Sequence, residues 1–541
     1  MNLFSQASPV DTQKLVQDKG VTDPIHKSQI GKIRFLSGDY PVKKYSLADF
    51  LNSFEIDDES NLSFIAFFDN SLTNYLHELN PSLNKTELIQ NGNFEFSFYL
   101  DGKLIYKEHL NSGAGLPIEK DENTSLHKPL LSSRQIDSWG RFLWLRFLYR
   151  SDAHFILEEG IHTLKIELRP YLKTDTLLVG NKIAEGEISI SFADPHVSEE
   201  QTVIQTITPN SGWNVSDASY DSDRIRGLNK RIAQNRFKHI TSVIVIKNGE
   251  LLIEEYFNGA GRNTLHNTRS VGKSFASTIT GIALNEGFLK NTNQTLGEFY
   301  DLKNYDHYTP EKAQVSIEHL LTMSSGFKGN DSDYDSPGNE ENMYPTNDWV
   351  KFALDLPMDQ NKTSGKQFEY FTAGVVVLGD ILDKTVPGGL EAYAHQMLFE
   401  PLEITNYQWQ HTPHDVANTA GGLQLRSVDY AKYGQLYINN GVWGNEQILT
   451  PEWVKKSHSN YYSSGLNETP YGYLFWKQSF TVNGKTYDAY LCNGNGGNKI
   501  VMFKNLPIVI VITSTAYGQF YAHPQSERII QNYLLPAVLM E

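Results

Sequence analysis

Apolar and polar residues alternate in several short runs of the first two hundred positions. Phe94, Phe96 and Phe98 do so, and Asp101-Gly102 then supplies a hairpin turn into Leu104-Ile105-Tyr106. Leu164, Ile166 and Leu168 repeat the pattern, as do Ile188, Ile190 and Phe192. A period of two puts alternate side chains on one face, so these segments predict half-buried antiparallel strands. Residues 36–200 therefore read as an all-β, sandwich-like accessory domain. A polar N-terminal extension, 1–35, precedes it. The aromatic run Trp139-Gly-Arg-Phe142-Leu-Trp144-Leu-Arg-Phe147 admits two readings, a ligand platform or a piece of core. Core is preferred, because aromatic side chains dominate burial.

The pattern changes after a linker-like stretch, 194–212, which has few apolar residues. Spacing predicts a helix over 221–234 and a strand over Val243-Ile-Val-Ile246. Asn248-Gly249 then turns the chain into a returning strand over 251–257. Lys499-Ile-Val-Met-Phe503 and Ile508-Val-Ile-Val-Ile512 predict a second hairpin, and a helix starts near Ser526. Strands at both ends with helices between them predict an α+β domain over 207–541, its antiparallel sheet joining the two ends and flanked by helices.

Within that domain, Phe275 to Leu284 repeats apolar residues at helical spacing, which places Ser270 at the amino end of a mostly buried helix. Lys273 lies three residues on, and such pairs share a helix face about 5–6 Å apart at Cβ. A serine hydroxyl needs a base within hydrogen-bond reach before it can attack a carbonyl. The helix dipole and desolvation both favour an uncharged amine at such a place, able to take that proton. Gly272-Lys273-Ser274 also ends like a phosphate-binding loop, but the glycine required five residues before Gly272 is Asn267. Without it the backbone cannot readily turn its amides around a phosphate.

Bulk properties narrow the class. At 541 residues the chain exceeds one ordinary core, and its 40% hydrophobic and 12% aromatic content is globular. A net charge of −16 disfavours nucleic acid and anionic membranes as partners. The single cysteine, Cys492, excludes an internal disulfide and a cysteine-rich metal site. No signal peptide and no membrane-spanning stretch is read, which makes cytoplasmic the expected location. Asp331-Ser-Asp333-Tyr-Asp335 imitates a calcium loop, yet Ser336 stands where glycine is needed and Asn342 where the closing glutamate belongs. A solvated acidic loop near the active-site mouth is expected instead. His77-Glu78 lacks the second histidine of a zinc helix. Cys492 lacks an identifiable histidine partner and reads as inert. No metal or organic cofactor is expected.

Taken in order, these blocks resemble the serine β-lactamase and penicillin-binding-protein superfamily. The similarity is greatest to the branch with class C β-lactamases, esterases and 6-aminohexanoate-oligomer hydrolases, and spans about 207–541. It rests on the strand pair 242–257, then Ser270-Val-Gly-Lys273, then Ile317-Glu-His-Leu-Leu-Thr-Met-Ser-Ser-Gly326. Phe368-Glu-Tyr370-Phe-Thr372, Glu400-Pro-Leu-Glu403, Gly421-Gly-Leu-Gln-Leu425, Tyr471-Gly-Tyr473 and Cys492-Asn-Gly-Asn-Gly-Gly-Asn498 follow.

The resemblance implies catalytic roles for Ser270, Lys273 and Tyr370, the tyrosine carrying protons between nucleophile and leaving group. It implies an oxyanion hole from the backbone N–H groups of Ser270 and Asn495. Thr372, Asn493, Gly494 and Tyr471 become candidate substrate contacts. Two departures bear on substrate. Thr372 replaces the usual asparagine, and a hydroxyl cannot bridge two groups as an amide does. Cys492-Asn493-Gly494 replaces Lys-Thr-Gly or His-x-Gly, so the lysine that holds a β-lactam carboxylate is missing, which argues against penicillin. The expected function is a serine hydrolase cleaving an ester or amide of a small-molecule or short peptide-like substrate, with a homo-oligomer allowed. Acyl transfer to an amine by the same residues, as in peptide cyclisation, and an inactive binding protein on the same fold are the alternatives.

Overall fold

The computed structural model describes residues 15–16, 20–57, 59–135, 137–157, 160–208, 212–464, 469–503 and 505–540. The chain forms two compact units, Met1–Pro195 and His196–Glu541.

The first unit is sheet-rich. A six-stranded sheet runs Ser53–Ile56, Ala184–Phe192, Ile161–Lys173, Gly92–Leu100, Lys103–His109, with Leu177–Val179 added beside Ile161–Lys173. A three-stranded sheet holds Ile33–Ser37, Leu62–Phe67 and Ser125–Leu131. Both sheets contribute to one core: Phe64 meets Phe96 edge to face with ring centroids 6.0 Å apart. The unit is not all strand, however. Helices Leu72–Leu79, Lys85–Asn91 and Trp139–Tyr149 belong to it. The aromatic run is thus a helix, capped by the Ser138 hydroxyl, which accepts from the Arg141 N–H. It is core on one side: Leu143, Trp144 and Phe147 are buried, and Phe147 stacks on Phe98. Of the expected N-terminal extension, 1–14 and 17–19 lie outside the described residues, while Ile33–Ser37 is a strand of the smaller sheet.

The second unit is built on an eight-stranded antiparallel sheet. Its order is Glu250–Tyr256, Ile240–Lys247, Ile508–Ser514, Asn498–Phe503, Lys485–Gly494, Trp476–Val482, Thr469–Tyr471, Tyr462–Ser464. The middle strands are apolar on both faces because both are covered. Val509 and Val511 face the core that holds helix Val271–Asn285, whereas Ile508, Ile510 and Ile512 face helix Ser222–Ala233 and the C-terminal helices. Asn248 and Gly249 both take positive φ, the twist a two-residue hairpin requires. The mixed α+β architecture anticipated for this half is present. Among the described residues, no helix is long and apolar enough to cross a membrane.

Candidate active site

Helix Val271–Asn285 is buried from Val271 through Ala283, so packing rather than an amphipathic stripe holds it. Its amino end is fixed from both sides. The segment leading in, Leu265–Asn267, pairs with Leu423–Arg426, and the Thr268 N–H donates to the Leu423 carbonyl at 2.8 Å. Arg269 then adopts φ 49°, an uncommon conformation for a side-chain-bearing residue, and turns Ser270 into place ahead of the helix. The Asn267 side chain supports that turn by accepting from the Arg269 N–H at 2.8 Å. The Arg269 guanidinium lies over the Tyr517 ring at 4.1 Å.

Lys273 is 1% exposed. Its Nζ donates to Ser270 Oγ at 2.8 Å and to the Ala420 carbonyl at 2.8 Å. The same nitrogen stands 5.3 Å from the centre of the Tyr370 ring. Ser270 and Lys273, one helical turn apart, and Tyr370, from a distant segment, are therefore brought together. Tyr370 precedes helix Thr372–Thr385 and stacks on Trp476.

Ser270 and Tyr370 line a cavity of about 1060 Å³, along with Asn493, Gly494 and Asn495. Gly494 ends the strand Lys485–Gly494 hard against the Ser270 segment. A Cβ there would lie 2.5 Å from the Thr268 carbonyl oxygen, so only glycine permits the approach. Asn495 turns its side chain away, accepting from the Gly518 N–H at 2.8 Å. Asn498 staples the turn, its amide donating to the Asn495 and Ser514 carbonyls at 2.8 and 3.1 Å. Among the described residues, the backbone N–H groups of Ser270 and Asn495 have no hydrogen-bond acceptor.

Two candidate substrate contacts stand elsewhere. Thr372 is 1% exposed and does not line the cavity. Its backbone N–H donates to Asp331 Oδ2 at 2.7 Å. Tyr471 is buried behind the lining, edge-on to Phe368 and Trp476, and burial pushes its phenol well above the usual range. Cys492 is also buried, and burial pushes its thiol up to about 12.

The acidic loop is only partly solvated. Asp333 and Asp335 are exposed, but Asp331 is half-buried and lines the cavity. It accepts from the Thr372 and Glu340 N–H groups, and its own N–H donates to the Tyr370 carbonyl at 3.0 Å. Burial holds its carboxyl above the usual carboxylate range, while the Thr372 hydrogen bond and the Lys273 charge pull it back. Asp331 thus ties Tyr370 to two helix starts. A second polar group went unread in the sequence: Lys499, His523 and Glu527 line the cavity beside Asn493. Among the described residues, no cluster of three or more His, Cys, Asp or Glu side chains could hold a metal ion.

A sequence profile of the family described as Beta-lactamase matches residues 229–531, more than half of the chain. The chain belongs to the Beta-lactamase family. Within this Beta-lactamase family member, the match takes in Ser270, Lys273, Tyr370 and the 492–498 turn. Three solved structures are among those similar to it. One is a protein provisionally designated 6-aminohexanoate-dimer hydrolase from Bacillus anthracis, at 17% identity and TM-score 0.49, covering 63% of this chain and 92% of that one. Another is an octameric penicillin-binding protein homologue from Pyrococcus abyssi, at 19% and 0.46, covering 59% and 77%. The third is a D-stereospecific amidohydrolase from a Streptomyces species, at 14% and 0.42, covering 54% and 92%. No curated protein matches the chain by sequence.

Proposed function

We propose that the second unit is a serine hydrolase that cleaves an ester or amide through an acyl-enzyme on Ser270. The observation that carries this reading is the 2.8 Å contact between Lys273 Nζ and Ser270 Oγ at a buried helix start. In its uncharged form Lys273 takes the hydroxyl proton along that line, and Oγ attacks the substrate carbonyl carbon. The carbonyl electron pair moves onto oxygen, where the N–H groups of Ser270 and Asn495 receive it. One such donor is worth roughly 3–4 kcal/mol where it has been removed.

Collapse of the tetrahedral species breaks the bond to the leaving group. Tyr370 supplies that group with a proton, and Lys273 returns one to Tyr370. Water then enters, gives its proton to the same pair and releases the acid. The aromatic wall of Phe368, Tyr370 and Trp476 suits a substrate with an apolar stretch. Fluorophosphonate labelling followed by peptide mapping tests the assignment. Label on Ser270, with short-chain ester hydrolysis lost in Ser270→Ala, is expected; turnover that survives Ser270→Ala refutes it.

A further inference from the structure

Lys499 occupies a position where a lysine is costly. The preceding strand, Lys485–Gly494, runs antiparallel to Asn498–Phe503, and Asn493 stands directly opposite Lys499. The next three residues along Lys499's strand, Ile500, Val501 and Met502, are buried and apolar. The Lys499 side chain is 0% exposed, yet the residue borders the cavity that Ser270 lines. Its Nζ donates to Asn493 Oδ1 at 2.9 Å and to Glu527 Oε1 at 3.2 Å.

An ammonium has three donors, and among the described residues two are engaged. The partner carboxylate belongs to a side chain that is 36% exposed, so water weakens its hold. His523, on the same helix as Glu527 and also bordering the cavity, brings no competing charge at neutral pH, since burial and the neighbouring Lys499 hold it down to about 3. A buried lysine that served stability alone could be replaced by an apolar residue at little loss. Of the two lysines that line the cavity among the described residues, Lys477 is partly exposed and pairs with Asp488, whereas Lys499 is fully buried.

We propose that Lys499, oriented by Asn493 and opposed by Glu527, is a specificity-determining residue that receives an anionic group, a carboxylate, carried by the substrate beyond its scissile carbonyl. The proposal rests on the serine-hydrolase reading of the same cavity and narrows its substrate class to carboxylate-bearing esters or amides. Glu527 occupies the cation until a substrate carboxylate displaces or joins it, so the two side chains set the preference in opposite directions.

The test uses the full chain and two matched pairs of esters: p-nitrophenyl hydrogen glutarate against p-nitrophenyl pentanoate, and 3-carboxyphenyl acetate against phenyl acetate. The first pair places the charge on the acyl side and the second on the leaving group. For one pair at least, kcat/KM for the anionic member is expected to exceed the neutral one by about tenfold, the usual worth of a hydrogen bond to a charge. Lys499→Met is expected to remove that preference and to leave neutral-ester turnover within about threefold, while Glu527→Gln, at a partly exposed site, raises the preference several-fold. Should Lys499→Met not fold, the Glu527→Gln result decides. No preference for either anionic ester, or a preference that neither variant moves, overturns the proposal and leaves the hydrolase reading intact. If instead no ester is turned over, calorimetry with glutarate on Ser270→Ala decides. Binding lost in Ser270→Ala combined with Lys499→Met upholds the subsite, and absent or Lys499-independent binding refutes it.

Discussion

Two buried lysines stand beside one cavity, and their surroundings differ in kind. Lys273 gives its hydrogen bonds to a hydroxyl and a peptide carbonyl, and among the described residues the Asp331 carboxylate acts on it only through space, without an ion-pair contact. Lys499 meets an amide oxygen and the Glu527 carboxylate. An amine among neutral acceptors can pass a proton without breaking an ion pair. One facing a carboxylate has reason to stay a cation: burial lowers its basicity, and Glu527 opposes that fall. On the proposed reading the same side chain serves proton transfer in one place and charge recognition in the other, and the difference lies in its neighbours.

The comparison breaks most sharply at the Ser270 end. Ser270→Ala and Lys273→Met are each expected to lower ester kcat/KM by roughly 10³-fold or more, with near-native circular dichroism. Lys499→Met should spare neutral esters, so equal losses from the two lysines would erase the distinction. Tyr370→Phe is expected to cost about 10²–10⁴-fold in kcat, the range for a lost proton carrier, with the larger loss on substrates whose leaving groups are poor. Gly494→Ala forces the strand away from Thr268 and should cost about 10²-fold in kcat through misplacement alone, read from the rate of Ser270 labelling.

Glu255 is a third buried titratable group, one that does not line the cavity. It accepts from the Gln205 N–H and from Asn229 Nδ2, and burial pushes it up to about 7. Between the free glutamate value, near 4.5, and 7 the folded chain holds a proton that the unfolded chain has released. Stability therefore falls as pH rises through that window, by on the order of 3 kcal/mol. Glu255→Gln should flatten the fall, measured as the difference in thermal midpoint between pH 5 and pH 8.

The candidate site was legible where its signals are local. Ser270 and Lys273 lie one helical turn apart, and the flanking apolar spacing announces the helix. Gly494 to Asn498 announces a turn. Asp331 was not readable, because its partners are backbone groups at Glu340 and Thr372 rather than side chains of a motif. Lys499 looks like the solvated start of an apolar strand until Asn493 and Glu527, from other elements, are placed beside it. In the first unit the strands were read from alternation, but helix Trp139–Tyr149 was not. Its apolar residues fall on most sides, so no clean stripe marks it.

The third strand of the larger sheet, Ile508–Ser514, lies between Ile240–Lys247 and Asn498–Phe503. During synthesis the ribosome delivers Ser270 and its lysine long before the strand that must wedge in beside Ile240–Lys247. A nascent chain that has reached the cavity's aromatic wall still lacks the hairpin that seats Asn495. Translation that stalls before residue 508 leaves the pair Glu250–Tyr256 and Ile240–Lys247 without the strand that joins it to Asn498–Phe503.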